Sequence, residues 1–178
     1  MKKQLLIVDG YNMIGAWPEL AVLKKQDRLE EAREDLLNRL SNYAKYEGIQ
    51  IMVVFDAQLV PGITQSYEKY QLEVIFTQEG ETADSYIERT AGQLNNLLTQ
   101  VTVATSDLAE QWVIFSQGAL RTSARELYKS VQKVEKQIHQ HQQEIHYQDY
   151  RRNSPWNEKQ LAQLAQKLAE LSKQTKEK

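Results

Sequence analysis

Leu5-Leu6-Ile7-Val8-Asp9-Gly10-Tyr11-Asn12 (LLIVDGYN, residues 5–12) is the stretch on which the fold turns. Four consecutive apolar residues without alternation are what a strand buried on both faces requires, and Asp9-Gly10 closes the run in a turn. A strand covered on both sides belongs to a parallel sheet between two helical layers, so the flanking sequence should supply those helices.

Outward from that strand, Leu29, Ala32, Leu36, Leu40 and Tyr43 recur at helical spacing, which predicts a helix over 28–46 with Asp27 as its N-cap and Gly48 as its stop. Ile49 to Phe55 reads as a second strand ending at Asp56, with Pro61-Gly62 marking the next loop, and Leu72 to Phe76 as a third. Thr82 to Leu98 is expected to be helical, with Ala83, Tyr86, Ile87, Leu94 and Leu97 facing inward; Val101 to Ala104 is a fourth strand opening into Thr105-Ser106-Asp107. Leu108 to Gln117 reads as a short helix ended by Gly118, and Ser123 with Glu126 makes a capping box that opens a long polar helix toward His146. Ser154-Pro155 starts a last helix in which Leu161, Leu164, Leu168 and Leu171 repeat, either docking on the body or meeting a partner.

The alternation of strands and helices defines an α/β class with a mostly parallel central sheet and extra C-terminal helices. The 178 residues suffice for one domain with appendages. With no cysteine, disulfides, thiolate metal sites and thiol nucleophiles are excluded, so any metal must sit on oxygen or imidazole. The apolar run after Lys2-Lys3 is cut by Asp9, which fits neither a signal peptide nor a membrane span; a cytoplasmic protein with no membrane contact is expected. A net charge of -2 argues against indiscriminate coating of nucleic acid.

In a parallel sheet the carboxyl ends of the strands share one edge, where ligands bind. Asp9 closes the first strand, Asp56 the second, Asp107 follows the fourth, and Asp84 begins the helix after the third. Glu81, three residues before Asp84, is a further candidate, and Asn12 adds a neutral oxygen. Carboxylates gathered in this way repel one another unless a divalent cation neutralises them, and Mg²⁺ (or Mn²⁺) suits a site of few carboxylates, water and phosphate oxygens. Such an ion can activate water for attack on a phosphodiester, with no protein nucleophile. Singly, each aspartate has a plainer role as helix cap, dipole complement or turn former. Asp9 is the exception, because Gly10-Tyr11-Asn12 carries no helix-start pattern.

Arg121, Arg125 and Lys129 recur every four residues along the start of the long helix and could form a stripe for RNA phosphates, or merely a solvated face. His139, His141 and His146 read as surface residues. Trp17, Trp112 and Trp156 read as packing anchors, Trp17 alone lying near enough to the Asp9 loop to approach a substrate.

LLIVDGYNMIGAWPEL, VVFDA, ETADSYIE, VATSDLAEQW and GALRTSARE together closely resemble the YacP-like NYN-domain proteins of Gram-positive bacteria, part of the PIN-like nuclease superfamily. VDGYN and TSD are the most specific elements. The resemblance implies a PIN-like three-layer α/β/α fold over residues 1–147 and a C-terminal helical extension over 148–178, where no shared motif is legible. It also implies endoribonuclease activity with Asp9, Asn12, Asp84 and Asp107 at the acidic site, Asp56 as a further metal ligand, and messenger RNA on the translating ribosome as the target. An aspartyl phosphatase would want a second acid where Tyr11 stands, and no glycine-rich nucleotide loop follows a strand. The serious rival is a non-catalytic RNA- or ribosome-binding adaptor with the same fold. The oligomeric state is not legible.

Overall fold

The computed structural model describes residues 2–56, 70–78, 80–106, 118–153, 160 and 162–167. Its described elements run β1 (Lys3–Asp9), α1 (Gly10–Ala16), α2 (Pro18–Lys25), α3 (Leu29–Glu47), β2 (Gln50–Phe55), β3 (Glu73–Phe76), α4 (Ala83–Leu94), β4 (Thr99–Ala104), β5 (Leu120–Thr122) and α5 (Ala124–Asn153). The Pro61-Gly62 loop, the Leu108–Gln117 helix, and Trp112, Ser154, Pro155, Trp156, Leu161, Leu168 and Leu171 lie outside the described residues.

All pairings are parallel and the strand order is β3-β2-β1-β4-β5, so the Leu5–Val8 run is central, as its unbroken apolarity demands. Alternation sends Leu6 and Val8 to one face, with Trp17, Leu36, Leu40, Val53 and Phe55. Leu5 and Ile7 go to the other, with Val54, Ile87, Ala91 and Val103. α1, α3 and the start of α5 cover the first face and α4 covers the second, giving the α/β/α layering.

Four local expectations are corrected. Asp9-Gly10 does not open a turn: Asp9 is the N-cap of α1, its Oδ1 accepting the Asn12 N–H at 2.9 Å. Gly10 is required at that helix start for space, since a Cβ there would sit 2.2 Å from the Phe55 ring. Asp27 does not cap α3; it has φ 59 in the connection from α2, and the N-cap is Arg28, without a side-chain bond. Gly48 does end α3, at φ 67.

The helix predicted to reach Leu98 stops at Leu94, because Asn95 and Asn96 offer the backbone side-chain partners that a helix would not. Asn96 Oδ1 accepts the N–H groups of Leu98 (2.8 Å) and Thr99 (3.0 Å), and Asn95 Oδ1 accepts that of Val101 (3.2 Å). Leu97 is consequently 88% exposed rather than inward-facing. Finally, Leu120–Thr122 is an edge strand, too short for a periodicity signal, so Arg121 belongs to β5 and not to the long helix. That helix does open on the expected capping box: Glu126 Oε2 accepts from the Ser123 N–H (2.8 Å) while Ser123 Oγ accepts from the Glu126 N–H (3.2 Å).

The chain divides into two compact units, Met1–Lys136 and Gln137–Lys178. Within the first, Arg39 on α3 joins three helices, bonding Glu135 of α5 at 2.7 Å, lying 3.7 Å from Glu19 of α2, and stacking over Trp17. Trp17 is fully buried and its Nε1 donates to Ala124 O at 3.0 Å, the environment of a packing anchor. Among the described residues no helix is long and apolar enough to cross a membrane.

Candidate active site

Asp9 is the last residue of the central strand and pairs with Val54, so Asp56 stands two residues further along the neighbouring strand direction, on the same face by alternation. That is the face covered by α4, whose first residue Ala83 and second turn residue Ile87 pack on Ile7 and Val54. Thr82 caps α4 with its Oγ1 accepting the Ser85 N–H at 3.3 Å, and Asp84 sits in the first turn, where the helix dipole favours an anion. Three carboxylates from three distant chain segments thereby reach one edge.

Their mutual field is visible at Asp9, which is only 6% exposed. Burial first, and then the charges of Asp84 and Asp56, raise its carboxyl to about 6 against the opposing pull of the Asn12 N–H bond. Asp84 is exposed and Asp56 half-buried, so both can meet solvent or a ligand. Glu81 takes a different course and pairs with Arg89 on the next turns of α4.

Asn12 has a structural part that its residue type alone does not disclose. Its Nδ2 donates to Thr105 Oγ1 at 3.4 Å and its Oδ1 accepts the Ser106 N–H at 3.1 Å, binding the start of α1 to the end of β4. Thr105 is fully buried, and the Thr-Ser pair at a strand end is the signal that could have marked it as the partner of Asn12. Asp107, the next residue in the chain, lies outside the described residues. Tyr11 and Arg33 were also missed: the buried Arg33 Nη1 donates to Tyr11 Oη at 3.2 Å, while Arg33 Nε has no acceptor among the described residues.

The basic stripe survives in part. Arg125 and Lys129 are exposed and one turn apart on α5, while Arg121 approaches from β5. Bonds from Ser123, and then the charges of Arg121 and Lys129, hold the Glu126 carboxyl below its ordinary range. His139 and His141 are exposed and engage Gln143 and Glu144, as surface residues do.

Among the described residues no three acidic or imidazole groups are close enough to hold an ion between them. The donors at the edge are oxygens only, and the buried Asp9 carboxylate repelled by two others is a set that a hard divalent ion would relieve. Mg²⁺ fits such donors, since it takes one or two carboxylates and keeps several waters.

A five-stranded parallel sheet layered by helices, with aspartates at its carboxyl edge, is a nuclease-type α/β fold of the PIN-like superfamily, whose members generally use divalent metal ions. The family model described as the YacP-like NYN domain matches residues 6–169, and the chain belongs to that family. The match runs past Tyr147 into the segment where no motif is legible. The protein YacP of Bacillus subtilis (strain 168), described as uncharacterized, is 54% identical over 134 residues, 75% of this chain and 78% of that protein. The crystal structure of Rae1 (YacP) from Bacillus subtilis is similar with a TM-score of 0.72 and 44% identity, over 97% of this chain and 94% of that one. A tryptophan-to-leucine mutant of Rae1 matches with a TM-score of 0.68 and 50% identity, over 79% and 82% of the two chains.

Proposed function

We propose that this chain is a divalent-metal-dependent endoribonuclease that cuts RNA at the carboxyl edge of its sheet. The observation that carries the reading is the Asp9 carboxyl, buried at a strand end and raised to about 6 with Asp84 and Asp56 in its field. A fold that places a charged group where its charge is penalised retains it for chemistry more readily than for stability.

In this reading Asp9, Asp84 and Asp107 hold Mg²⁺ or Mn²⁺, with Asp56 alongside. The ion supplies a more acidic water and neutralises charge developing on the phosphodiester. Asn12 keeps the Asp9 helix start and the Thr105-Ser106 strand end at fixed separation, so the aspartates keep their spacing when RNA arrives. Arg121, Arg125 and Lys129 take backbone phosphates. Messenger RNA presented by the translating ribosome in the cytoplasm is the proposed substrate; with a net charge of -2, the protein gains from a partner that delivers the strand.

One observation favours an adaptor instead: Asp9 already has a structural task as the cap of α1. Incubation of RNA with the protein and Mg²⁺ or Mn²⁺, with and without ribosomes, separates the two. Cleavage by the wild type that disappears in both Asp9→Asn and Asp84→Asn supports the nuclease. Cleavage persisting in both variants, or an inert wild type that still binds ribosomes as the variants do, removes it.

A further inference from the structure

On the face of the sheet covered by α3 and α5, the floor changes character from one side to the other. Toward β2 it is aliphatic and aromatic, with Ile51, Val53 and Phe55. Toward β5 it carries Gln4, Thr102 and Thr122 among the apolar Leu6, Ala104 and Leu120, brought to the same face by the pairings Leu6↔Thr102, Thr102↔Leu120 and Ala104↔Thr122. A parallel sheet under helices ordinarily shows aliphatic side chains there. Above these three residues the helices leave an open cavity of about 180 Å³, walled in part by Tyr43 of α3 and by Leu127 and Ser130 of α5.

The lining bounds the guest. Among the described residues no ionised side chain lines the cavity, so the guest it suits is neutral where it is enclosed. Threonine hydroxyls and the Gln4 amide can each donate and accept, matching an edge of mixed donors and acceptors. Tyr43 adds an aromatic wall; burial, and after it the Glu47 carboxylate, push its phenol up, against the pull of a Ser130 hydrogen bond. The volume is below the roughly 300 Å³ at which sites for drug-sized ligands begin and well above the ~30 Å³ share of one water. Outside, Lys129 and Lys133 are exposed on α5, one turn apart and flanking Ser130 in sequence.

We propose that this cavity receives a single unpaired nucleobase, its polar edge on Gln4, Thr102 and Thr122 and its attached phosphates on Lys129 and Lys133. A base is a neutral, flat group with a mixed hydrogen-bonding edge, carried on a charged strand that stays outside, which is the division of character found here. The proposal rests on the RNA reading for its natural ligand, but not on cleavage. It makes the cavity a specificity subsite on the face of the sheet opposite the aspartates.

The test is an NMR titration of the isotopically labelled full chain with each nucleoside 5′-monophosphate, and with ribose 5-phosphate as the probe lacking a base. Expected are saturable shifts at Thr102, Thr122 and Ser130 that differ among the bases and are absent with ribose 5-phosphate. Ser130→Trp, at an exposed position, should weaken binding at least tenfold by filling the mouth. Thr102→Val, which keeps shape and loses the hydroxyl, should change the ranking of the bases several-fold. Shifts that ribose 5-phosphate reproduces, that survive Ser130→Trp, or that never arise would overturn it. Asp9→Asn should bind the bases as the wild type does; base binding by a wild-type chain that cuts no RNA with Mg²⁺ or Mn²⁺, with or without ribosomes, would sink the nuclease reading and leave the subsite standing.

Discussion

Asn12 accepts the Ser106 N–H at 3.1 Å across 94 positions of sequence, and the same side chain donates to the buried Thr105 hydroxyl. The first and fourth strands are thus tied at the ends where the acidic residues gather. Asn12→Ala leaves Thr105 and the Ser106 N–H to find other partners, and should cost about 1–3 kcal/mol in urea unfolding. RNA cleavage should fall by more than tenfold at saturating Mg²⁺. Full activity in a destabilised Asn12→Ala chain would mean that the tie serves folding only.

Asp9 should weaken the metal-free fold at neutral pH. Its folded-state value of about 6 lies above the ordinary 3.8, so the folded chain holds this proton more tightly than the unfolded one. Its contribution is therefore most favourable below about pH 4, is lost as pH rises toward 6, and is fully absent above. The shift corresponds to about 2–3 kcal/mol at pH 7. Asn is also a good N-cap, so Asp9→Asn in EDTA should be the more stable protein at pH 7.5, by several degrees in Tm, with the gap closing near pH 4. Excess Mg²⁺ should stabilise the wild type and leave the variant unmoved. Equal melting curves at both pH values would show that burial does not penalise this carboxylate.

Gly10 lies under the Phe55 ring, where a Cβ would come within 2.2–2.7 Å of three ring atoms. Gly10→Ala should lose about 1–3 kcal/mol despite the better helix propensity of alanine, because the ring is fully buried and stacks on Phe76. Pairing it with Phe55→Leu should recover part of that loss. A double variant as unstable as the sum of the singles would rule out the proposed clash.

Arg33 is 5% exposed, and its Nη1 donates to the Tyr11 hydroxyl. Tyr11→Phe takes that acceptor from a buried cation and should cost about 1–3 kcal/mol. Arg33→Met removes the charge and should cost less, since an apolar chain of similar volume often replaces a buried ion without penalty. The Tyr11→Phe, Arg33→Met double variant should be more stable than Tyr11→Phe alone; thermal denaturation of the four proteins decides it.

Where the sequence was misread, local pattern was outweighed by something not local. Asp9-Gly10 looks like a turn until Phe55, 45 positions on, is seen to need a glycine beneath it, and Asp9 to cap the helix that follows. Leu97 fits a helical face, but the two asparagines before it hold the backbone in another conformation. Arg121 falls in step with Arg125 and Lys129 by spacing, yet it lies within the three-residue edge strand that precedes their helix.

The order of apolar strands and amphipathic helices was enough to determine a parallel α/β sheet and to send Asp9, Asp56 and Asp84 to its carboxyl edge, because period and position in a strand are local properties of the chain. Only the tertiary structure decided that β1 lies between β2 and β4, that Asp9 loses its water and so feels Asp84 and Asp56, and that Asn12 is spent on the end of β4. Desolvation and cross-strand contact depend on which neighbours pack above a residue, and no spacing along the chain encodes that.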